Sequence, residues 1–142
     1  MLLSKLTRLL KEHKTKNFQD VDITGISYNS QLTKKGDIFL CIRGEMSDGH
    51  KYAQDAVDKG AAAIFCEEEL NINCPQIIVK DTKRTMAAIA AAFYDEPSKE
   101  LNLIGVTGTN GKTTVTHLIQ KILEENNEKC ALIGTLGYKL SS

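Results

Sequence analysis

The sequence predicts an α/β chain with a small N-terminal α/β domain over residues 1–97 and the incomplete start of a second α/β domain over residues 98–142. Three observations carry this. Short apolar runs of strand length alternate with stretches of helical periodicity. The segment Asp95-Glu96-Pro97-Ser98-Lys99, coming after a finished helix, has the proline, charge and serine of a hinge or domain boundary. Beyond it, a glycine-rich turn joins an apolar run to an amphipathic stretch.

Taken in order, Leu2, Leu3, Leu6, Leu9 and Leu10 recur at helical spacing between Lys5, Arg8 and Lys11, which predicts an opening helix that covers the core. Val21 to Ile26 alternates like a half-buried strand, and Asp37-Ile38-Phe39-Leu40-Cys41-Ile42 reads as a more deeply buried one. Between them lies the polar segment Tyr28-Asn29-Ser30-Gln31. The loop Arg43 to His50, punctuated by Gly44 and Gly49, leads into a helix with Tyr52, Ala53, Ala56 and Val57 on one side and Gly60 as its stop. Strands are expected at Ala61 to Cys66 and at Gln76 to Val79. Asp81 is placed to cap a helix whose Met86, Ile89, Ala90 and Phe93 face the core. In the second part, Leu101 to Val106 is expected as a strand, Lys112 to Glu125 as a helix, and Cys130 to Gly134 as a second strand, forming one βαβ unit.

The bulk properties exclude more than they name. Lys+Arg and Asp+Glu both number 18, so no net field favours nucleic acid or an anionic membrane. No apolar run approaches the roughly 20 residues of a membrane span, and the first residues have neither the apolar core nor the cleavage site of a secretory signal; the expectation is a cytoplasmic protein. The four cysteines, Cys41, Cys66, Cys74 and Cys130, show no CxxC spacing, and three lie inside apolar stretches, so they read as reduced core thiols.

The chemistry is concentrated in Gly108-Thr109-Asn110-Gly111-Lys112-Thr113-Thr114. A turn between strand and helix points free backbone N–H groups and the positive end of the helix dipole at one spot, which suits a phosphate. Gly108 and Gly111 let the backbone curl inward, Lys112 can place its ammonium on the β and γ phosphates of ATP, and the Thr113 hydroxyl can complete the shell of Mg²⁺. Thr109, Asn110 and Thr114 add further N–H groups and polar side chains. The general pattern GxxxxGK[ST] is not met, because Val106 stands where its first glycine belongs.

The string Gly105 to Thr114 resembles the ATP-binding signature of the Mur ligases and their folylpolyglutamate synthetase relatives, whose phosphate loop has this shorter spacing. Lys35-Gly36-Asp37-Ile38-Phe39, Gly44, Asp48-Gly49-His50 and Gly60-Ala61-Ala62-Ala63 resemble the uridine-nucleotide-binding domain of the third and fourth amino-acid-adding Mur ligases. Thr109-Asn110 and Gly134-Thr135-Leu136-Gly137-Tyr138 resemble the third rather than the fourth. The resemblance implies a ligase in which ATP phosphorylates the terminal carboxylate of UDP-MurNAc-L-Ala-D-Glu and the amine of a diamino acid, meso-diaminopimelate or L-lysine, attacks the acyl phosphate. Lys112 and Mg²⁺ on Thr113 would clamp the charge. It further implies uridine contacts at Ser30, where relatives commonly read Asp-Ser-Arg and this chain reads Asn29-Ser30-Gln31, and at Glu45, Met46 and Ser47. His50 is read as a capping or packing residue, His117 as a helix residue, and Asp81, Lys83 and Arg84 as a solvated helix start.

The chain reads as cut inside the second domain, since about 40 residues cannot bury enough surface to stand alone. An acidic metal ligand from another strand is absent, so turnover by these 142 residues is not expected. A non-catalytic nucleotide-binding module and a ligase of the fourth kind stand as the competing readings.

Overall fold

The computed structural model describes residues 1–45 and 47–140, and the chain divides into two compact units, one ending at Leu101 and the other beginning at Asn102. In the first unit α1 (Leu3–Thr7) is followed by β1 (Lys14–Lys16), β2 (Gly25–Ser27), β3 (Asp37–Leu40), α2 (Ala53–Asp58), β4 (Ala63–Cys66), β5 (Gln76–Ile78) and α3 (Thr82–Phe93). The sheet order is β1-β5-β4-β3-β2. Strands β2 to β5 are parallel, and β1 closes the edge antiparallel to β5.

Every residue of β3 and β4 is buried, as a sheet covered on both faces requires. The period of two sends Ile38, Leu40, Ala63 and Phe65 to one face, where Leu3, Leu6 and Ile89 of α1 and α3 cover them. Phe39, Cys41, Ile64 and Cys66 take the other face, under Ala53 and Ala56 of α2. Cys41, Cys66 and Cys74 are free thiols in this core, and burial pushes Cys66 and Cys74 up to about 11. Gln76 is fully buried, yet its side chain is satisfied: Oε1 accepts from the Leu70 amide at 2.9 Å, while Nε2 donates to the Leu70 and Ile72 carbonyls.

Three elements of the first unit differ from the sequence expectation. The opening helix ends at Thr7, and Leu9 is exposed. The strand expected at Val21 to Ile26 is confined to Gly25–Ser27, because residues 21–23 spend their backbone hydrogen bonds on the N-terminus: Leu3 N–H donates to Val21 O, and Ile23 N–H to Met1 O. Strand β1 has the wholly polar sequence Lys-Thr-Lys, which carries no apolar alternation; lysines suit an exposed edge.

The second unit contains α4 (Lys112–Glu125), β6 (Ala131–Gly134) and β7 (Gly137–Leu140). Leu101 to Val106 is not a strand, since no strand of the described residues lies beside it to accept its hydrogen bonds. Instead of a parallel βαβ pair, β6 turns through Thr135 and Leu136 and pairs antiparallel with β7. A two-residue connection closes a hairpin locally, whereas parallel strands need a longer crossover. Among the described residues no helix is long and apolar enough to cross a membrane.

Candidate functional site

In the first unit, β2 leads into a turn pinned by its own side chains. The Asn29 carboxamide accepts from the Gln31 amide at 2.9 Å, and the Ser27 and Thr33 hydroxyls both donate to the Asn29 carbonyl. This sets Ser30, only 5% exposed, at the start of a 3-10 turn. Opposite it, β3 runs into the loop 41–49, closed by Gly44 N–H to Ser47 O at 2.8 Å and Gly49 N–H to Ile42 O at 2.9 Å. A Cβ on Gly49 would stand 2.6 Å from the Ile42 nitrogen, so the loop can return to β3 only with glycine there.

An open cleft of about 510 Å³ lies between the two loops, bordered by Ser30, Gln31, Phe39, Ile42, Ser47 and the two tyrosines Tyr28 and Tyr52 among others. Ser30 and Ser47 thus reach one cleft; Glu45 is not among its lining residues, and Met46 lies outside the described residues. Tyr52 corrects the helix expectation. It is 47% exposed, its hydroxyl accepts from Ser47 Oγ at 3.4 Å, and only Ala53 and Ala56 of that set are buried. Tyr28, exposed and two residues before Ser30, forms another aromatic border of the cleft, and no sequence pattern marked it as such.

His50 is a structural residue. Its Nε2 accepts from the Glu67 amide at 2.9 Å, so Nδ1 carries the ring proton and donates to Asp48 Oδ1 at 2.6 Å. The His50 backbone amide and ring hold the Asp48 carboxyl below the usual aspartate range, with help from Arg43. Replacing His50 by alanine leaves the Glu67 amide without its acceptor, removes one of the partners of Asp48 and opens a void, and should cost about 2–3 kcal/mol in urea unfolding; a loss below about 0.5 kcal/mol would refute the structural role. The start of α3 is filled likewise: Asp81 accepts from the Arg84 amide and Glu67 from the Thr82 amide, leaving no room there for a phosphate.

The start of α4 is different. Its N-cap Gly111 sits at φ +77°, in the left-handed region, and no side chain caps the helix. Nothing lies within 4 Å of a Cβ at Gly111, so backbone conformation and not space demands glycine. Val115 N–H donates to Gly111 O and closes the first turn, and the amides of Lys112, Thr113 and Thr114 precede that bond without intrahelical acceptors. The Lys112 ammonium folds back over the loop to the Gly108 carbonyl and, at 3.4 Å, to the Thr109 carbonyl. The Thr113 carbonyl accepts from the Thr116 hydroxyl at 2.9 Å and from His117 Nδ1 at 2.8 Å, which makes His117 a helix residue. A pocket of about 160 Å³ opens beside Lys112 and Thr113. Uncapped amides, a lysine and hydroxyls suit a polyphosphate. For Mg²⁺ the loop offers the Thr113 hydroxyl, and among the described residues no group of three or more His, Cys, Asp or Glu could hold a metal by itself.

Two family models match successive parts of the chain. The family described as "Mur ligase family, catalytic domain" matches residues 22–94, and "Mur ligase middle domain" matches residues 106–141. The UDP-N-acetylmuramoyl-L-alanyl-D-glutamate--2,6-diaminopimelate ligase of Bacillus velezensis is 45% identical over 141 residues, covering 99% of this chain and 29% of the relative. Among solved structures, MurF from Acinetobacter baumannii superposes with a TM-score of 0.70 at 26% identity, over 86% of this chain and 27% of that one. MurF from Thermotoga maritima in complex with ADP gives 0.57 at 28% identity, over 76% and 25%. The chain therefore spans a little over a quarter of the length of the curated relatives it matches.

Proposed function

The chain belongs to the Mur ligase family, and from that premise we propose that it supplies the nucleotide-binding parts of an ATP-dependent ligase that adds a diamino acid to UDP-MurNAc-L-Ala-D-Glu. Residues 1–97 are the uridine-nucleotide-binding domain, and residues 98–142 are the start of the ATP-binding domain. The observation that carries the reading is the pairing of an uncapped glycine-initiated helix bearing Lys112 with a separate cleft bearing Ser30 and Ser47. Relatives 41% to 48% identical are 2,6-diaminopimelate ligases, which favours this reading over the MurF-type alternative.

In this reading Gly108 and Gly111 shape the loop, while the backbone amides of Lys112, Thr113 and Thr114, with those of Thr109 and Asn110, donate to phosphate oxygens. Lys112 has three N–H donors and commits two to loop carbonyls, so one is available before any rearrangement. The Thr113 hydroxyl is the protein's oxygen for Mg²⁺. ATP, when bound, supplies the phosphoryl group that gives an otherwise poor carboxylate electrophile a good leaving group. The chain's contribution is then position and charge neutralisation. In the first unit, Ser30 and Ser47, with Glu45 and Met46 of the same loop, hold the uridine end of the substrate. A cytoplasmic location belongs to the same reading.

Calorimetric titration with UDP-MurNAc-L-Ala-D-Glu tests it. Saturable binding that weakens about tenfold in Ser30→Ala, the worth of one good hydrogen bond, is expected; no binding by a folded sample would reject the uridine site.

A further inference from the structure

The turn that carries Ser30 is held from outside the cleft by α2 and the residue that follows it. The Ser30 carbonyl has two partners of unequal quality. The Thr33 amide, which closes the 3-10 turn, stands 3.4 Å away, whereas the Lys59 ammonium donates at 3.0 Å. A charge-assisted hydrogen bond is about twice as strong as a neutral one, so Lys59 is the stronger partner. The ammonium is itself oriented by Asp55, one helical turn back on α2, whose Oδ2 accepts from Lys59 Nζ at 3.3 Å and from the Gln31 carboxamide at 3.2 Å. The turn is thus tied at two successive residues. The backbone behind Lys59 is fixed as well: the Gly36 amide donates to the Gly60 carbonyl at 2.9 Å, and Gly60 sits at φ +98° where a Cβ would stand 3.1 Å from Lys35 Cα.

The two peptide groups that flank the Ser30 Cα are therefore both anchored, one through the Asn29 carbonyl by the Ser27 and Thr33 hydroxyls, the other through the Ser30 carbonyl by Lys59. With planar peptides fixed on both sides, the Cα–Cβ bond has one direction and the hydroxyl only its staggered rotamers. Ser30 borders the cleft, while neither Lys59 nor Asp55 is among its lining residues. We propose that Lys59, oriented by Asp55, is a positioning residue for substrate binding: without touching the ligand, its ammonium sets the Ser30 peptide so that the serine side chain is presented to the cleft. This rests on the reading of the cleft as a uridine-nucleotide site. An effect exerted through Ser30 has nothing to act on once the hydroxyl is gone, which separates positioning from general support of the fold.

The test is calorimetric binding of UDP to the chain in a double-mutant cycle of Lys59→Met and Ser30→Ala, with Lys59→Arg and Asp55→Ala beside it and a thermal melt of each variant. Lys59→Met should weaken UDP binding about fivefold, short of the tenfold expected for Ser30→Ala, and in the Ser30→Ala background it should change affinity less than about twofold. Lys59→Arg still donates to the carbonyl and should bind UDP within about twofold of the unmodified chain. Asp55→Ala leaves the ammonium its carbonyl but removes what aims it; the loss should be about threefold, again only where Ser30 is present. The same cycle runs on Asp55→Ala if Lys59→Met does not fold. Full UDP affinity in the Lys59→Met and Asp55→Ala variants overturns the proposal, as do equal losses with and without Ser30. Failure of the underlying site reading looks different and removes the proposal with it: UDP then binds Ser30→Ala as it binds the unmodified chain.

Discussion

Replacing Lys112 by methionine is expected to lower the affinity for Mg·ATP by a hundredfold or more, on the scale of about 1.5–3 kcal/mol for each charge-assisted hydrogen bond and two phosphates contacted. Methionine keeps the length and apolar stem and removes only the charge and its donors. The fold should be indifferent, because Lys112 is exposed and its contacts are the carbonyls of its own loop. Fluorescence titration with a labelled ATP at low and moderate salt gives the measurement, and a change of less than threefold would remove Lys112 from the site. The salt series matters because an exposed ammonium–phosphate contact weakens as ions screen it. Since the effect is confined to the second unit, UDP binding by the first unit should not change.

The largest stability effect is expected at Phe39→Ala. Phe39 is 1% exposed in β3, pairs in register with Ile64 of β4, packs with Cys41, Ala53 and Ala56, and also floors the cleft that holds Ser30. Truncation removes most of an aromatic ring and leaves a void that neighbouring strands, buried on both faces, cannot collapse into. The cost should be about 3–5 kcal/mol, against a total of about 5–15 kcal/mol for a domain. Urea unfolding followed by circular dichroism would show it as a fall in midpoint with little change in slope. A loss below about 1 kcal/mol would mean that the cleft side of the sheet is loosely packed. Phe39→Leu should recover more than half of the loss, because it restores apolar volume at the floor.

How much could be read beforehand depended on whether the determining contacts are local. The loop at Gly108 to Thr114 is specified by glycine conformations and by the helix it begins, all within a few residues, and its geometry follows the sequence pattern closely. Strands β3 and β4 announced themselves as unbroken apolar runs because both of their faces are covered. The Asp81 cap was legible for the same reason, its acceptor lying three residues from its donor. The Ser30 turn was visible only as a polar segment and a family resemblance; Tyr28 and Tyr52, which border its cleft, carried no pattern that separates a wall from a core.

Composition, periodicity and the short-range motifs by themselves pointed to an α/β chain with deeply buried strands before a proline-marked break near Pro97 and a glycine-initiated helix after it. Only the tertiary structure decided that Lys14–Lys16 closes the sheet edge, that residues 21–23 bond to the N-terminus, that β6 folds onto β7, and that Asp55 and Lys59 hold Ser30. Each of these joins groups whose own residue types permit several partners. A backbone amide accepts any neighbouring carbonyl and a carboxylate any donor within reach, so the choice belongs to the packing that brings one partner close and excludes the rest.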